Sequence, residues 1–272
     1  MKSPDVLGTE YLVPLDPDHP GFRDAEYRAR RDAIATIATT HRRSDPIPDV
    51  TYTEDEHQVW SRVWRELHDA HERYACDAYR ACLDKIALHR EQIPQLNDVN
   101  RALAGASGFQ LLPVAGLVQA AVFLDHLGEG FFLSTQYMRH HSRPLYTPEP
   151  DVIHELVGHA VTLVDPAFAE MNRLFGAALR RGASVEQLTN VYWYTMEFGV
   201  TYESGEPRAY GAGLLSSFGE LNHFVKNTPL LAFDIERIAA TPYDPTNYQP
   251  HLFAARSVDE AFEEIRRWLT SL

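Results

Sequence analysis

The chain has 272 residues, 44% of them hydrophobic, which is enough to bury the core of one large domain. Its 25 basic and 38 acidic residues give a formal net charge of -13, which argues against nucleic-acid binding because phosphate contacts need a basic face. The first twenty residues lack the apolar run of a signal peptide, and no later stretch reaches the ~18 apolar residues of a membrane span. We therefore expect a cytoplasmic protein that binds neither nucleic acid nor membrane.

Helical patterns predominate in the first third of the chain. Residues 24–43 have helical composition, with apolar side chains spaced for one face. In the window 54–92, apolar residues recur at steps of three and four and predict one long amphipathic helix; the stripe comprises Val59, Trp60, Val63, Trp64, Leu67, His71 and Tyr74. Cys76 and Cys82 lie on different faces of this predicted helix, so we expect no disulfide between them.

Four further helices are predicted downstream, and strands are few. The helices span 94–108, 151–179, 184–202 and 257–272. Ser184 is a predicted N-cap, and Ser257 with Glu260 has the pattern of a capping box. Strands are predicted at 131–135 and 251–255. The fold class is therefore mainly α with a minor β element, in a single domain.

The stretch PDVIHELVGH at 150–159 has the composition of a metal site but an unusual spacing. Zinc metalloproteases use His-Glu-x-x-His, because residues four apart lie about 40° apart around an α-helix, whereas residues five apart diverge by about 140°. His154 and His159 are five apart. Both could reach one ion if His154 lies at the beginning of the helix, which Pro148 and Pro150 favour. Two unrelated core or capping histidines are the alternative.

A third ligand is required if the site holds iron. Iron(II) oxygenases commonly bind the metal through two histidines and one carboxylate, which leaves positions open for oxygen and a substrate. Glu197 is the best candidate, because it lies in the aromatic and apolar stretch YWYTMEFGV, where an unpaired carboxylate would be costly. A buried salt bridge with an arginine is the alternative for Glu197.

Several longer segments together resemble the pterin-dependent aromatic amino acid hydroxylases, most closely those that act on phenylalanine. The matching segments are DHPGFRDAEYRARR (18–31), PIPDVTYTEDE (46–56), GFQLLPVAGL (108–117), STQYMRHHSRPLYTPEPDVIHELVGH (134–159), YWYTMEFG (192–199) and AYGAGLLSSFGEL (209–221). They run in family order, which implies one catalytic domain of this family over residues 15–272, preceded by an N-terminal extension at 1–14.

The resemblance implies a role for each acid and histidine of the motif. In the family the two histidines and the later glutamate bind iron(II), which assigns the metal to His154, His159 and Glu197. Glu155 is similar in position to a glutamate that is not a ligand. We expect Glu155 to take part in catalysis by orienting water, oxygen or cofactor.

Further residues are implied to bind the substrate. Arg139 matches an arginine that pairs with the substrate carboxylate, and Asp151 is close enough in sequence to hold that arginine. The remaining expected substrate residues are Tyr146, Thr147, Pro150, Trp193, Ser216 and Ser217. The stretches at 139–144 and 237–250 are where we expect substrate selectivity to be decided.

A tetrahydropterin is implied to bind along VAGLVQAAVFL, against the ring of Phe123 and the backbone of Gly116, Leu117 and Val118. This segment departs from the family pattern at VQAAV, where Ala120 offers the cofactor no hydroxyl. Backbone contacts tolerate such side-chain changes, so we expect tetrahydrobiopterin or a related pterin.

The implied reaction is ring hydroxylation of a free aromatic amino acid with dioxygen as co-substrate, with L-phenylalanine to L-tyrosine ranked first. Trp193 argues against tryptophan, whereas tyrosine and attack at the meta carbon stay open. A zinc hydrolase and a non-enzymatic binding protein are the alternatives from other classes. Because the chain lacks the regulatory domain and the C-terminal helix through which animal relatives form tetramers, we expect a monomer.

Overall fold

The computed structural model describes residues 15–245 and 247–272, so the predicted extension 1–14 lies outside the described residues. The α-helices are α1 (Ala25–Thr40), α2 (Glu54–Tyr74), α3 (Asp77–Ile86), α4 (Leu96–Ala106), α5 (Ala120–Gly128), α6 (Val161–Leu163), α7 (Pro166–Arg180), α8 (Val185–Tyr192), α9 (Ala212–Ser216), α10 (Phe218–Asn227), α11 (Ile235–Ala239) and α12 (Val258–Ser271). Two further segments, π1 (His154–Ala160) and π2 (Trp193–Glu197), are π-helices. Among these helices, none is both long enough and apolar enough to cross a membrane.

Within the described residues, six short strands form two small sheets. They are β1 (Gln110–Pro113), β2 (Phe131–Ser134), β3 (Val200–Glu203), β4 (Glu206–Ala209), β5 (Leu230–Ala232) and β6 (Leu252–Ala255). β1 and β2 pair in parallel, and the other strands form a sheet of order β4-β3-β6-β5. The strand predictions at 131–135 and 251–255 are confirmed as β2 and β6. The predicted class, mainly α with a minor β element, is also confirmed.

The prediction of one long helix over 54–92 is wrong, because the chain forms two helices there, α2 and α3. Thr53 begins α2 with a full capping box, which Glu56 completes. The helix ends at Tyr74 because Ala75 and Cys76 turn aside to meet β4, where the Cys76 N–H donates to the Ala209 carbonyl at 2.9 Å. Cys76 then caps α3, and both cysteines are buried free thiols, as predicted.

The helix predicted over 184–202 is correct at its beginning and wrong at its end. Ser184 caps α8 by accepting the Gln187 N–H, but the helical segment stops at Glu197 and continues as β3. Gly199 allows this sharp exit, because a Cβ there would lie 2.2 Å from the Thr195 carbonyl oxygen. The exit places Glu197 at the junction of a helix and a sheet.

The helix predicted over 151–179 is divided, and the one at the C-terminus is confirmed. Asp165 begins α7 with Pro166 in its first turn, which separates α7 from the helical segment before it. Ser257 caps α12 by accepting the Glu260 N–H at 3.1 Å. Only half of the predicted capping box forms, because the Glu260 carboxylate accepts the Arg256 N–H instead.

The π1 helix lies inside the hydrophobic core and contacts several elements. Its residues Leu156, Val157 and Ala160 are at most 1% exposed. Tyr79 of α3 donates its hydroxyl to the Val157 carbonyl at 2.7 Å, so one carbonyl of the wide turn has a side-chain donor. On the other side π1 packs against α9. The core therefore holds this segment from two directions.

Candidate active site

The spacing of the two histidines is explained by the winding of π1. In a π-helix each backbone hydrogen bond spans five residues, so residues five apart lie one turn apart on one face. The Val161 N–H donates to the Leu156 carbonyl in this manner. His154 and His159 therefore point the same way. The expectation that His154 reaches the ion because it lies at the beginning of a helix is incomplete. The wide turn of π1 is what aligns the two histidines.

The second π-helix supplies the carboxylate. The Phe198 N–H donates to the Trp193 carbonyl, five residues back, at 2.8 Å. Glu197 is the last residue of π2. π-turns are rare and occur often at functional sites, and here two of them carry side chains that meet.

Three possible ligand atoms converge between these helices. The Nε2 atoms of His154 and His159 lie 3.2 Å apart. Glu197 Oε1 lies 2.9 Å from His159 Nε2, and Glu197 Oε2 lies 3.8 Å from His154 Nε2. Among the described residues, these three form the cluster of His, Cys, Asp and Glu side chains that could hold a metal ion. Two imidazoles and one carboxylate are the donor set of non-haem iron(II) oxygenases.

Protonation in this cluster suits metal binding. Burial lowers the pKa of His154 to about 4, so its imidazole is neutral at neutral pH and has a free lone pair. Burial opposes ionisation of Glu197, but the charge and hydrogen bond of His159 outweigh it and hold the pKa of this carboxyl below its usual value. The same pairing raises the pKa of His159 against the effect of burial. A metal cation would replace the shared proton, so the residues fit such a group.

Ser216 orients the first histidine. Its hydroxyl lies 2.9 Å from His154 Nδ1, which leaves Nε2 to face the cluster. The hydroxyl also donates to the Ala212 carbonyl at 2.8 Å, so it accepts from the imidazole. Ser217, the other serine expected to bind the substrate, caps α10 by accepting the Glu220 N–H.

Glu155 is a second buried acid with a different environment. One of its carboxylate oxygens accepts both the backbone N–H of Thr135 at 3.1 Å and the Thr135 hydroxyl at 3.0 Å. Burial raises the pKa of Glu155 to about 7, although His159 and these hydrogen bonds act in the opposite direction. Sequence reasoning missed Thr135, because a partner twenty residues away leaves no local signal.

Arg139 and Asp151 form a buried pair beside π1. Arg139 donates from Nε and Nη2 to the two carboxylate oxygens of Asp151, both at 2.8 Å, and its backbone N–H donates to the same group at 2.9 Å. Asp151 also accepts the His154 N–H at 3.2 Å. One carboxylate therefore joins the expected substrate anchor to the first turn of π1, which carries the two candidate histidine ligands.

The other expected substrate residues lie on two segments. Tyr146 is 47% exposed, and the Thr147 hydroxyl donates to the Glu149 carbonyl at 2.9 Å within the same turn. The Pro150 carbonyl accepts the Thr135 hydroxyl at 3.3 Å. On π2, the half-buried Trp193 donates its indole N–H to Gln249 at 3.0 Å. Gln249 is a further residue that sequence reasoning missed.

The expected pterin segment forms the connection between β1 and α5. Gly116 is buried in this connection, whereas the Leu117 side chain is 58% exposed. Phe123 lies in α5, with its ring 5.5 Å from that of Phe132 and 5.4 Å from that of Tyr192. The Phe132 ring in turn lies 4.5 Å from the His159 ring. Aromatic contacts thus connect this segment to the cluster.

Comparison with known proteins places the chain in one family. A family model described as biopterin-dependent aromatic amino acid hydroxylase matches residues 6–272. Phenylalanine-4-hydroxylase of Rattus norvegicus is 43% identical over 269 residues, which cover 96% of this chain and 59% of the relative. Tyrosine 3-monooxygenase of Homo sapiens is 44% identical over 274 residues, which cover 98% of this chain and 52% of the relative. The chain thus spans roughly half of the length of these curated relatives.

Solved structures agree with this placement. Phenylalanine hydroxylase of Chromobacterium violaceum bound to cobalt is 28% identical, with a TM-score of 0.77 over 90% of this chain and 92% of that chain. The same enzyme with iron(III) and 7,8-dihydrobiopterin is 29% identical, with a TM-score of 0.75 over 81% of this chain and 82% of that chain. These matches support a hydroxylase and not the alternative of a zinc hydrolase. The chain belongs to the biopterin-dependent aromatic amino acid hydroxylases.

Proposed function

We propose that this protein hydroxylates the ring of a free aromatic amino acid, with L-phenylalanine to L-tyrosine as the first choice. Iron(II) and a tetrahydropterin would be the cofactors, and dioxygen the co-substrate. The observation that carries the proposal is the convergence of His154, His159 and Glu197 from two π-helices, in a chain of this family.

Iron would be held by His154, His159 and Glu197, with Ser216 fixing the ring of the first histidine. Bound there, iron and the reduced pterin would together activate dioxygen for transfer of one oxygen atom to the ring. The protein's own contribution is to position the reactants and to exclude water. The cluster is suited to this, because His159 is only 4% exposed.

The substrate's carboxylate would bind at Arg139. Asp151 holds Nε and Nη2 of this guanidinium, while Nη1 makes only a 3.4 Å contact with the Pro144 carbonyl. Nη1 is therefore the atom we assign to the incoming carboxylate, and Asp151 sets its direction. Four residues would then enclose the aromatic ring and side chain: Pro150, Trp193, Tyr146 and Thr147. Ser216 and Ser217 would lie near the substrate at the end of α9.

The pterin would lie on the connection between β1 and α5, over Gly116, Leu117 and Val118 and against Phe123. The exposed Leu117 side chain supports this assignment, because a bound ring would cover it. Glu155, fixed by its two hydrogen bonds from Thr135, would orient the cofactor or water on this side of the metal.

A second candidate is the hydroxylation of tyrosine at the meta carbon. Tyrosine 3-monooxygenases of Drosophila melanogaster and Homo sapiens are 43% and 44% identical to this chain, as similar as the rat phenylalanine-4-hydroxylase at 43%. Overall identity therefore does not separate the two reactions. Attack on tryptophan or at the meta carbon of phenylalanine stays the weaker alternative.

One assay tests these proposals together. The iron-loaded protein is incubated with a tetrahydropterin, oxygen and each of phenylalanine, tyrosine and tryptophan, and the products are identified by chromatography against standards. We expect L-tyrosine from L-phenylalanine, formed only with pterin and iron present. Stoichiometric zinc with hydrolytic activity and no oxygen uptake would contradict the proposal, and a catechol product from tyrosine would favour the second candidate.

We also propose a monomeric, cytoplasmic enzyme without nucleic-acid partners. The formal net charge of -13 supports the last point and opposes self-association by repulsion between copies. Sedimentation of the purified protein at several concentrations tests the oligomeric state, with one species of 30.9 kDa expected.

A further inference from the structure

The segment that follows α11 contacts the metal-binding helix π2 at three residues. The Pro242 carbonyl accepts the Tyr194 hydroxyl at 3.0 Å. The Tyr243 ring stacks on the Trp193 indole, with centroids 4.3 Å apart and planes inclined by 13°. The Gln249 side-chain oxygen accepts the Trp193 indole N–H at 3.0 Å. Two of these contacts converge on Trp193.

The Gln249 amide uses all of its hydrogen-bonding groups. While Oε1 accepts from Trp193, Nε2 donates to the carbonyl oxygens of Asp244 at 3.0 Å and Asn247 at 3.1 Å. The backbone N–H of Gln249 bonds to the Glu220 carboxylate of α10. Gln249 is only 5% exposed. Its amide therefore closes the segment on itself and fastens it to π2 at the same time.

Loss of this amide would have a local consequence that differs from a general loss of stability. A buried polar group without a hydrogen-bond partner costs free energy, so the indole N–H and the two loop carbonyls would shift until they hydrogen-bond with water. Trp193 is the first residue of π2, and its ring also packs against Phe198 at 4.6 Å. The indole would shift at the place where the proposed function puts the substrate ring.

We propose that Gln249 is a positioning residue for substrate binding: its amide fixes the Trp193 indole and holds the backbone carbonyls of Asp244 and Asn247 beside it. This inference rests on the proposed function, in which Trp193 lines the cleft for the aromatic ring. Gln249 itself is not assigned a contact with the substrate. Its effect is transmitted by one hydrogen bond to the indole and two to the loop.

Steady-state kinetics of Gln249→Met test the proposal. This variant keeps the side-chain length and removes every amide hydrogen bond, so we expect KM for the amino acid to rise about tenfold, the equivalent of one lost hydrogen bond. We expect kcat to change less than about threefold. Gln249→Glu, which keeps an acceptor for the indole but loses both donors, should fall between.

A matched control uses another bridging glutamine. Gln95 precedes α4 and joins it to the Val50 backbone by two hydrogen bonds of 2.9 Å. Gln95→Met should lower the melting temperature and leave KM unchanged. An unchanged KM in Gln249→Met, or an equal rise in Gln95→Met, would overturn the proposal.

A double-mutant cycle shows whether Gln249 acts through the indole. Trp193→Phe removes the N–H and keeps an aromatic ring, so we expect its effect on KM to overlap with that of Gln249→Met. The double variant should then be no worse than the more affected single variant. Effects that multiply would mean that Gln249 acts independently of Trp193, contrary to the proposal.

A spectroscopic measurement separates this inference from the proposed function, because it needs no turnover. The chain has four tryptophans, so ¹⁵N-tryptophan labelling gives four indole N–H signals, and Trp193→Phe identifies one of them. In Gln249→Met we expect the Trp193 signal alone to shift and broaden. An unchanged signal would refute the role of Gln249 even in an active enzyme. A shifted signal in a protein without hydroxylase activity would instead locate the failure in the proposed function.

Discussion

At the scale of single residues, Glu155 and Glu197 are two neighbouring acids whose pKa values shift in opposite directions. Burial dominates for Glu155 and raises its pKa to about 7, whereas His159 holds the pKa of Glu197 below its usual value. The difference follows from position. Glu197 lies 2.9 Å from an imidazole, while Glu155 receives its hydrogen bonds from Thr135. The surroundings of the two acids therefore shift their pKa values in opposite directions.

This difference leads to a paired prediction on metal retention. Glu197→Ala removes a donor atom, so we expect iron affinity to fall by more than about 100-fold, beyond the 10- to 100-fold loss typical of residues behind the ligands. Hydroxylation should be lost with it, and His159→Ala should behave in the same way. The iron content of the purified variants, measured by mass spectrometry, provides the test.

Glu155→Gln is the matched control at the neighbouring acid. Because the proposed role of this side chain is to orient other groups and not to bind the metal, we expect near-stoichiometric iron with reduced hydroxylation. Full iron retention in Glu197→Ala, or equal loss in Glu155→Gln, would contradict the assignment of the two acids.

At the scale of secondary structure, the site depends on how closely π1 approaches α9. Gly158 lies between the two histidines, and a Cβ there would meet the Ala212 carbonyl oxygen at 2.8 Å. The obstructing atom belongs to the backbone of α9, which cannot rotate away. Ser216, the residue that orients His154, lies at the other end of this short helix. A displacement of α9 would therefore also move His154 relative to His159 and Glu197.

We predict that Gly158→Ala lowers both the free energy of unfolding, by about 1–3 kcal/mol, and the affinity for iron. The cause is the forced separation of π1 from α9. Gly105→Ala is the control, since Gly105 lies in α4 with nothing within 4 Å of the added Cβ. That substitution should stabilise the protein by roughly 0.5–1 kcal/mol. Denaturant unfolding and iron titration of both variants test this prediction. It would be contradicted if Gly158→Ala lowered neither the free energy of unfolding nor the iron affinity relative to Gly105→Ala.

At the scale of the whole molecule, one buried histidine connects the N-terminal helices to the active-site region. His71 of α2 donates from Nε2 to the Leu215 carbonyl of α9 at 2.6 Å, and it is 1% exposed. Burial lowers the pKa of His71 to about 4, although the hydrogen bond to Leu215 acts in the opposite direction. The imidazole is therefore neutral in the folded protein over most of the accessible pH range.

This shift predicts how stability depends on pH. In the unfolded chain His71 has the ordinary pKa of 6.5, so between pH 6.5 and about 4 the unfolded state binds a proton that the folded state does not. The contribution of neutral His71 to the free energy of unfolding is therefore fully present above pH 6.5, and it decreases as the pH falls towards 4. Its full size is on the order of 3 kcal/mol.

His71→Gln tests this without removing the hydrogen bond, because glutamine also offers an N–H and does not titrate. We expect the wild-type free energy of unfolding to fall more steeply than that of the variant between pH 6.5 and 4. Parallel curves from denaturant titrations of the metal-free proteins would show that His71 is not the titrating group.

The sequence by itself determined the class of the fold, the donor set and the family. Helical periodicity predicted most helices, and the residues of PDVIHELVGH and YWYTMEFG identified the three candidate ligands that the structure brings together. These features are local, because periodicity, capping residues and motif composition are written in consecutive positions. The same reasoning could not find the end of α2 at Tyr74 or the exit after Glu197, which pairing with distant strands imposes.

Only the tertiary structure decided how two histidines five residues apart can face one ion. An ideal α-helix would point them away from each other, and the π-winding of His154–Ala160 aligns them. That winding is sustained from outside the motif, by the Tyr79 hydroxyl on the Val157 carbonyl and by close packing against α9. The Thr135, Ser216 and Gln249 contacts are likewise long-range. A π-winding such as this one is held by partners from elsewhere in the chain, and no local pattern records which residues they are.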